Sequence, residues 1–331
     1  MSIVLSGMRP TGKLHLGNLY GALQNWINLQ DKYKCYYFVA DWHALTTGFS
    51  ESKEIYDNTL EMIIDWLAFG LDPQKATLFV QSLVKEHAEL FLLLSMITPV
   101  GKLERVPSYK DQIAQLGESR TANYGFLGYP VLMSADIIIY KANYVPVGID
   151  QLAHLEFTRE MVRSINHLVQ KEVFIEPEPL LSEFPKILGT DGRKMSKSYD
   201  NAIYLADSEE QTAQKIKNMF TDPRRIRKTD PGVPKECGVF MLHNIFSDSQ
   251  VCNEIEASCT NASIGCTDCK NILIKNLNNK LRPIREKRKH LKENKSNEII
   301  ENIKESSKIA SSAAKVSLES AKEAIFGNYL G

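Results

Sequence analysis

Ile3, Val4 and Leu5 form a short apolar run that reads as a buried strand. Gly7, Pro10 and Gly12 then break the pattern into a tight loop. From Leu16 onward, Leu16, Leu19, Tyr20, Leu23, Trp26 and Ile27 recur at helical spacing. A second strand is predicted over residues 34–40, delivering Asp41, Trp42 and His43 to its C-terminal end, where ligand residues sit in doubly wound sheets. For His43, a packing role and a ligand-facing role are evenly matched. An amphipathic helix over 51–69 stops at Gly70 and Pro73, and a strand follows over 77–81. Residues 87–96 are helical and apolar, and read as core or subunit interface rather than as a site. Residues 145–147 form one more strand, running into a turn and a helix. Strands alternating with helices predict an α/β fold with a doubly wound parallel sheet and right-handed crossovers. From about residue 205 the pattern turns helical and more charged, and 309–325 predicts an amphipathic helix packing back on the body. The expected division is an α/β domain over 1–200 and an all-helical domain over 201–331.

Composition narrows the class. With 331 residues, 43% hydrophobic and 24% charged, the chain reads as an ordinary globular protein. No apolar run approaches the ~20 residues that span a bilayer, and no signal peptide is evident, so a cytoplasmic location without membrane contact is expected. Forty Lys+Arg balance forty Asp+Glu, so any nucleic-acid contact falls to local patches. Two patches offer phosphate contact: residues 224–228, and Arg282, Arg285, Lys287, Arg288, Lys289 and Lys292 on a long helix. Five of the six cysteines lie between 237 and 269. Cys266 and Cys269 form a Cys-x-x-Cys pair, and with Cys259 and Cys237 they supply four thiolates suited to tetrahedral zinc or an iron–sulfur cluster. Cys252 is an additional candidate.

The strand, glycine-rich turn and helix at the N-terminus aim backbone N–H groups and a helix N-terminus at an anion. A Walker-type P-loop fits Gly7, Gly12 and Lys13 but fails at Leu14, where a magnesium-holding Ser or Thr is required. An ordinary buried turn is the plainer reading. The segment His15-Leu16-Gly17-Asn18 resembles the HIGH signature of class I aminoacyl-tRNA synthetases. Lys194-Met195-Ser196-Lys197-Ser198, about 180 residues on, resembles their KMSKS loop. The resemblance implies that His15 and Asn18 bind ATP phosphates and that Gly17 lets the adenine lie on the backbone. Lys194 and Lys197 would neutralise the phosphoryl transition state. It also implies ATP contacts from Arg9, Pro10, Thr11, Met195, Ser196 and Ser198, with Mg2+ riding on the nucleotide.

In the middle of the chain, Tyr129, Met133 and Asp136 share one helix face. A carboxylate among apolar neighbours is costly to bury without a donor, and the residues alone favour a cap or a distant Arg or Lys partner. The stretch is similar to the Met-x-Ala-Asp-Ile segment of bacterial tryptophanyl-tRNA synthetases, whose Asp receives the indole N–H. That likeness implies a tryptophan site of Tyr129, Met133, Asp136 and Gln151. It further implies ATP contacts from Gly148, Ile149 and Asp150 in Val-Pro-Val-Gly-Ile-Asp-Gln, and from the Ile187 backbone. The implied protein is a homodimer that acts on tRNA(Trp), pairing a Rossmann-type catalytic domain with a helical anticodon-binding domain. Some members carry a [4Fe–4S] site, which maps here onto Cys237, Cys259, Cys266 and Cys269, with zinc as the alternative. Arg9 stands where many members carry Gln, and Gln112 where many carry Lys; Arg9 is expected to supply the charge missing at Gln112. Two rivals stay open: a tyrosyl-tRNA synthetase, since an Asp can receive a phenol, and a catalytically silent RNA-binding relative.

Overall fold

The computed structural model describes residues 1–181 and 187–327, leaving aside the side chains at 108, 112, 115, 116, 118, 119 and 150. Gln112 therefore lies outside the described side chains. The chain divides into two compact units, each assembled from separate stretches of sequence: 1–12, 26–182 and 295–331 form the first, and 13–25 with 183–294 the second. The sequence pattern alone divides the chain once, at residue 200.

The first unit holds a five-stranded parallel sheet of β1 (Ile3–Met8), β2 (Lys34–Val39), β3 (Ala76–Val80), β4 (Tyr144–Val147) and β5 (Glu178–Leu181). Their order is β3-β2-β1-β4-β5, and every pairing is parallel. The order reverses between β1 and β4, the switch point at which doubly wound sheets bind ligands beyond their strand C-termini. Strands β2 and β3 read as near-continuous apolar runs, as strands covered on both faces do: in β2, Cys35 to Val39 are all buried, and in β3 all but Thr77. Trp26 stacks on Tyr37 at 4.6 Å between ring centroids, and the Tyr37 hydroxyl donates to the Trp26 carbonyl at 3.1 Å.

Four helices of this unit matter for the site. They are α1 (Asp41–Gly48), α2 (Glu86–Ser95), α3 (Tyr129–Ile138) and α4 (Ser296–Phe326). Helix α3 begins with Pro130 in its first turn, where a missing N–H costs nothing. Helix α4 is longer than its predicted 309–325 core. It lays Ala310, Ala314, Leu318 and Ala321 into the same cluster as Leu5, Phe79, Val84, Leu90 and Ile138.

The second unit is helical. It begins with the short helix Leu16–Asn18, which passes through a wider π-helical turn at Leu19–Leu23. Leu16, Leu19 and Leu23 are buried, as the sequence spacing predicts. Tyr20 meets Phe246 edge to face at 5.0 Å. Ser208 and Gln211 form a capping box that starts Glu209–Lys217, and Asp248 caps Ser249–Thr260. The long helix Cys266–Asn294 contributes buried Leu273, Leu277 and Leu281. No described helix is long and apolar enough to cross a membrane.

Candidate active site

In the first unit the candidate residues gather at strand ends. Arg9, Pro10 and Thr11 follow β1, Gly148 and Ile149 follow β4, and Asp150 and Gln151 complete a short 3-10 turn. The Arg9 guanidinium donates from Nη2 to Thr47 Oγ1 at 2.7 Å. Its Nε is buried with no hydrogen-bond partner among the described residues, and burial pulls the guanidinium's pKa down. Ile149 and Gln151 are exposed, whereas Tyr129 is buried and stands edge-on to His154. Met133 packs against the apolar cluster.

Asp136 is 1% exposed, and its partners differ from the Arg, Lys or cap that the residues alone favour. Gln81, directly after β3, donates Nε2–H to both carboxylate oxygens at 2.8 and 2.9 Å. His87 Nδ1 lies 2.6 Å from Oδ1, and His43 Nε2 lies 2.8 Å from Oδ2. An ionised carboxylate only accepts, so both rings donate to it. Burial pushes the Asp136 pKa up, but the hydrogen bonds from His43 and His87 and the nearness of both rings outweigh burial and hold it below the usual carboxylate range. The helix read as core or interface rather than as a site thus supplies His87, and His43 finds its partner in the same carboxylate. Asp41, the first residue of α1, accepts from the backbone N–H groups of Trp42 and Ser82 at 3.0 Å each, tying the ends of β2 and β3 together.

In the second unit His15 caps its helix: Nδ1 accepts from the Asn18 N–H at 3.3 Å, while Asn18 Oδ1 accepts from the His15 N–H at 3.2 Å. An imidazole that accepts at Nδ1 is neutral. Burial, then the charges of Lys197 and Lys194, lower the His15 pKa to about 4. A Cβ on Gly17 would lie 2.9 Å from His15 Nδ1, so only glycine leaves the ring in place.

The lysine loop is held from below. Met195 is buried and its N–H donates to the Ile187 carbonyl at 2.9 Å, whereas Lys194 and Ser198 are exposed. Asn201, which the sequence reading passes over, accepts from the Ser196 N–H at 2.8 Å. Its amide donates to Asp191 Oδ1 at 2.7 Å and to the Lys194 carbonyl at 3.2 Å. Chiefly through that Asn201 hydrogen bond, the Asp191 pKa falls to about 2. Neither residue belongs to the pentapeptide, so only their places in the folded loop reveal them.

The cysteines share a neighbourhood without forming a closed site. Burial, then the thiols of Cys237, Cys259 and Cys266, push Cys269 up to about 12. Cys252 stands apart, its thiol donating to the His243 carbonyl at 3.3 Å. Among the described residues no three His, Cys, Asp or Glu side chains are arranged to hold a metal ion as the chain stands. Neutral thiols have no mutual attraction to draw them together, and ligation requires thiolates.

Part of the basic patch is also otherwise engaged. Arg224 pairs with Asp222 and Glu236. Arg225 donates to Cys259 Sγ at 3.4 Å and to the Ile264 carbonyl. In the second patch Arg282 pairs with Glu209, and Arg285 donates to Leu205, Asn278 and Thr212.

Residues 1–282 match the family model described as tRNA synthetases class I (W and Y). The tryptophan–tRNA ligase of Aquifex aeolicus is 44% identical, over 97% of this chain and 99% of that protein. That of Thermotoga maritima is 54% identical, over 85% of this chain and 86% of its own. The crystal structure of tryptophanyl-tRNA synthetase from Campylobacter jejuni complexed with ADP and tryptophan superposes with a TM-score of 0.89, at 34% identity, covering 98% of this chain and 99% of that one. The signature segments, the strand order and these whole-length likenesses agree, and the chain belongs to the class I tRNA synthetases of the tryptophan and tyrosine group.

Proposed function

We propose that this synthetase is a tryptophan–tRNA ligase in which the Asp136 carboxylate reads the indole N–H. The observation that carries the reading is a buried, ionised acceptor held by Gln81, His43 and His87 in apolar surroundings. A site built to accept an N–H rejects an analogue without one by about 10⁴–10⁵, because the acceptor is left unpaired. Tyr129, Met133 and Gln151 complete the tryptophan site.

The reaction needs no general base. A tryptophan carboxylate oxygen forms a bond to the α-phosphorus of ATP, and the α–β bridge breaks to release pyrophosphate. The terminal ribose hydroxyl of tRNA(Trp) then attacks the acyl carbon, its proton passes to a phosphate oxygen of the departing group, the acyl–phosphate bond breaks and AMP leaves. Neutral His15 and Asn18 hydrogen-bond phosphate, while Lys194 and Lys197 supply positive charge where the leaving group gathers negative charge. Arg9, Pro10, Thr11, Gly17, Gly148, Ile149, Asp150, Ile187, Met195, Ser196 and Ser198 position the nucleotide, and Mg2+ arrives with it. Residues 1–200 carry the catalytic role and 201–331 the anticodon-binding role, in a cytoplasmic homodimer. Pyrophosphate exchange across a panel of amino acids tests the assignment. Dependence on tryptophan is expected, and dependence on tyrosine, or on no amino acid, overturns it.

For the cysteines we infer a [4Fe–4S] cluster on Cys237, Cys259, Cys266 and Cys269. Three observations support it. Cys269 feels the other three thiols, the Arg225 guanidinium bonds Cys259, and a Cβ at Gly232 would lie 2.6 Å from Cys259 Sγ. Cationic Arg225 suits a cluster whose four thiolates leave it net negative. Four irons and four acid-labile sulfides per chain are expected after anaerobic purification. One zinc without sulfide would replace the cluster with a closed zinc site, and neither metal would withdraw the site.

A further inference from the structure

Behind Asp136 the chain of contacts continues. His87 Nε2 lies 2.7 Å from the Tyr140 hydroxyl, and His87 Nδ1 lies 2.6 Å from Asp136 Oδ1. His87 is 0% and Tyr140 4% exposed. Phe38 and Phe79 flank the His87 ring at 6.0 Å each, offering no other hydrogen-bond partner. Tyr140 is held in turn, stacked on Tyr36 at 4.7 Å and set edge-on to Phe79 at 5.7 Å. Among the described residues that touch the carboxylate, Gln81 and His87 are 0% exposed and only His43 is reachable, its side chain being 12% exposed. One side of Asp136 is therefore fixed and the other can exchange a partner.

We propose that Tyr140 and His87 are positioning residues for Asp136. The Tyr140 hydroxyl donates to His87 Nε2, the ring's single proton then sits at Nδ1 and donates to Asp136 Oδ1, and at Oδ2, which Gln81 and the reachable His43 serve, the substrate N–H takes the place of His43. The inference rests on Asp136 being the indole acceptor. Without the phenol O–H, Nε2 is left unpaired among apolar side chains, only the carboxylate holds the ring proton at Nδ1, and a proton that shifts to Nε2 breaks the bond to Asp136. The Nδ1 lone pair would then face the carboxylate, and Asp136 would have to rotate or take up a proton. Either response removes the acceptor the indole needs.

The test compares tryptophan with the analogue whose indole N–H is replaced by sulfur, benzothienylalanine, by kcat/KM in pyrophosphate exchange. Tyr140→Phe keeps the ring and removes only the hydroxyl. It is expected to reduce the preference for tryptophan by about tenfold or more, through KM for tryptophan, with kcat at saturation within about twofold of the parent. His87→Asn retains a donor near the Nδ1 position and should keep more of the preference than His87→Leu, which retains only bulk. A purely structural role predicts lowered melting temperatures with the preference unchanged in all three, and that result overturns the proposal. Should Tyr140→Phe fail to fold, the ¹⁵N spectrum of the histidine-labelled parent decides: a neutral Nδ1–H His87 supports the chain, and an Nε2–H ring overturns it. Asp136→Ala separates the layers. If that variant also leaves the preference intact, Asp136 is not the indole acceptor; if it alone abolishes the preference, only the positioning role fails.

Discussion

Gly189 has no room for a side chain: a Cβ there would lie 2.3 Å from Asn201 Cγ. The close approach lets one buried amide serve Ser196, Asp191 and Lys194 together. Asn201→Ala would strand the Ser196 N–H and free the lysine loop. A loss of about 1–3 kcal/mol in urea unfolding is expected, with a higher KM for ATP in pyrophosphate exchange. An unchanged KM would show that the loop needs no anchor. His15 gives a second prediction. Burial first, then Lys197 and Lys194, depress its pKa from 6.5 to about 4. A depressed histidine means that the unfolded chain binds more protons between those values. The His15 contribution to stability is therefore complete above pH 6.5 and is lost progressively as pH falls toward about 4. Lys197→Ala should raise the His15 midpoint toward 6.5 in an NMR titration of labelled histidine, and no movement would refute the coupling.

At the scale of elements, the hydrophobic pattern located four of the five strands through their apolar runs and the helices through their apolar faces, whereas β5, exposed at Glu178, Pro179 and Leu181, carried no such signal. The run of residues 34–40 becomes β2, and the helical face of Tyr129, Met133 and Asp136 becomes α3. The signature segments were legible for a different reason: their residues are contiguous and their chemistry is local. The support beneath them was not. Gln81 and His87 lie 55 and 49 residues from Asp136 and meet it only once β3 and α2 are placed. Arg225 reads as a phosphate ligand in a basic run, yet in the fold its side chain turns to Cys259. The π-helical turn at Leu19–Leu23 leaves no mark on the hydrophobic spacing, since the same leucines stay buried. Helix α4 yields a packing prediction. Ala310 and Ala314 are fully buried, and their small side chains let the helix lie close on the cluster. Ala314→Leu should cost about 1–3 kcal/mol through overpacking, read from urea unfolding. A neutral outcome would mean that the cluster has slack.

For the whole molecule, the division of the chain has consequences for any fragment. The second compact unit needs residues 13–25, and the stretch from 295 onward belongs to the first. A fragment of 201–331 therefore lacks one end of its own core and carries a helix whose partners are elsewhere. It is expected to show helical circular dichroism without a cooperative thermal transition. A sharp, two-state melt of that fragment would make the sequence-based boundary at 200 the real one.

Helix α4 also sets when the protein can first exist during its own synthesis. Ala310, Ala314, Leu318 and Ala321 share a core with Leu5, Phe79 and Ile138, so the earliest strand and the last helix complete each other. A ribosome that has passed every strand of the sheet but not residue 310 has yet to deliver the residues that close the sheet's apolar cluster. A premature stop before Ala310 would thus remove more than a tail. The strands that carry Gln81 and the approach to Asp136 would be left uncovered, and the nascent chain exposed to chaperones and proteases until the final helix emerges.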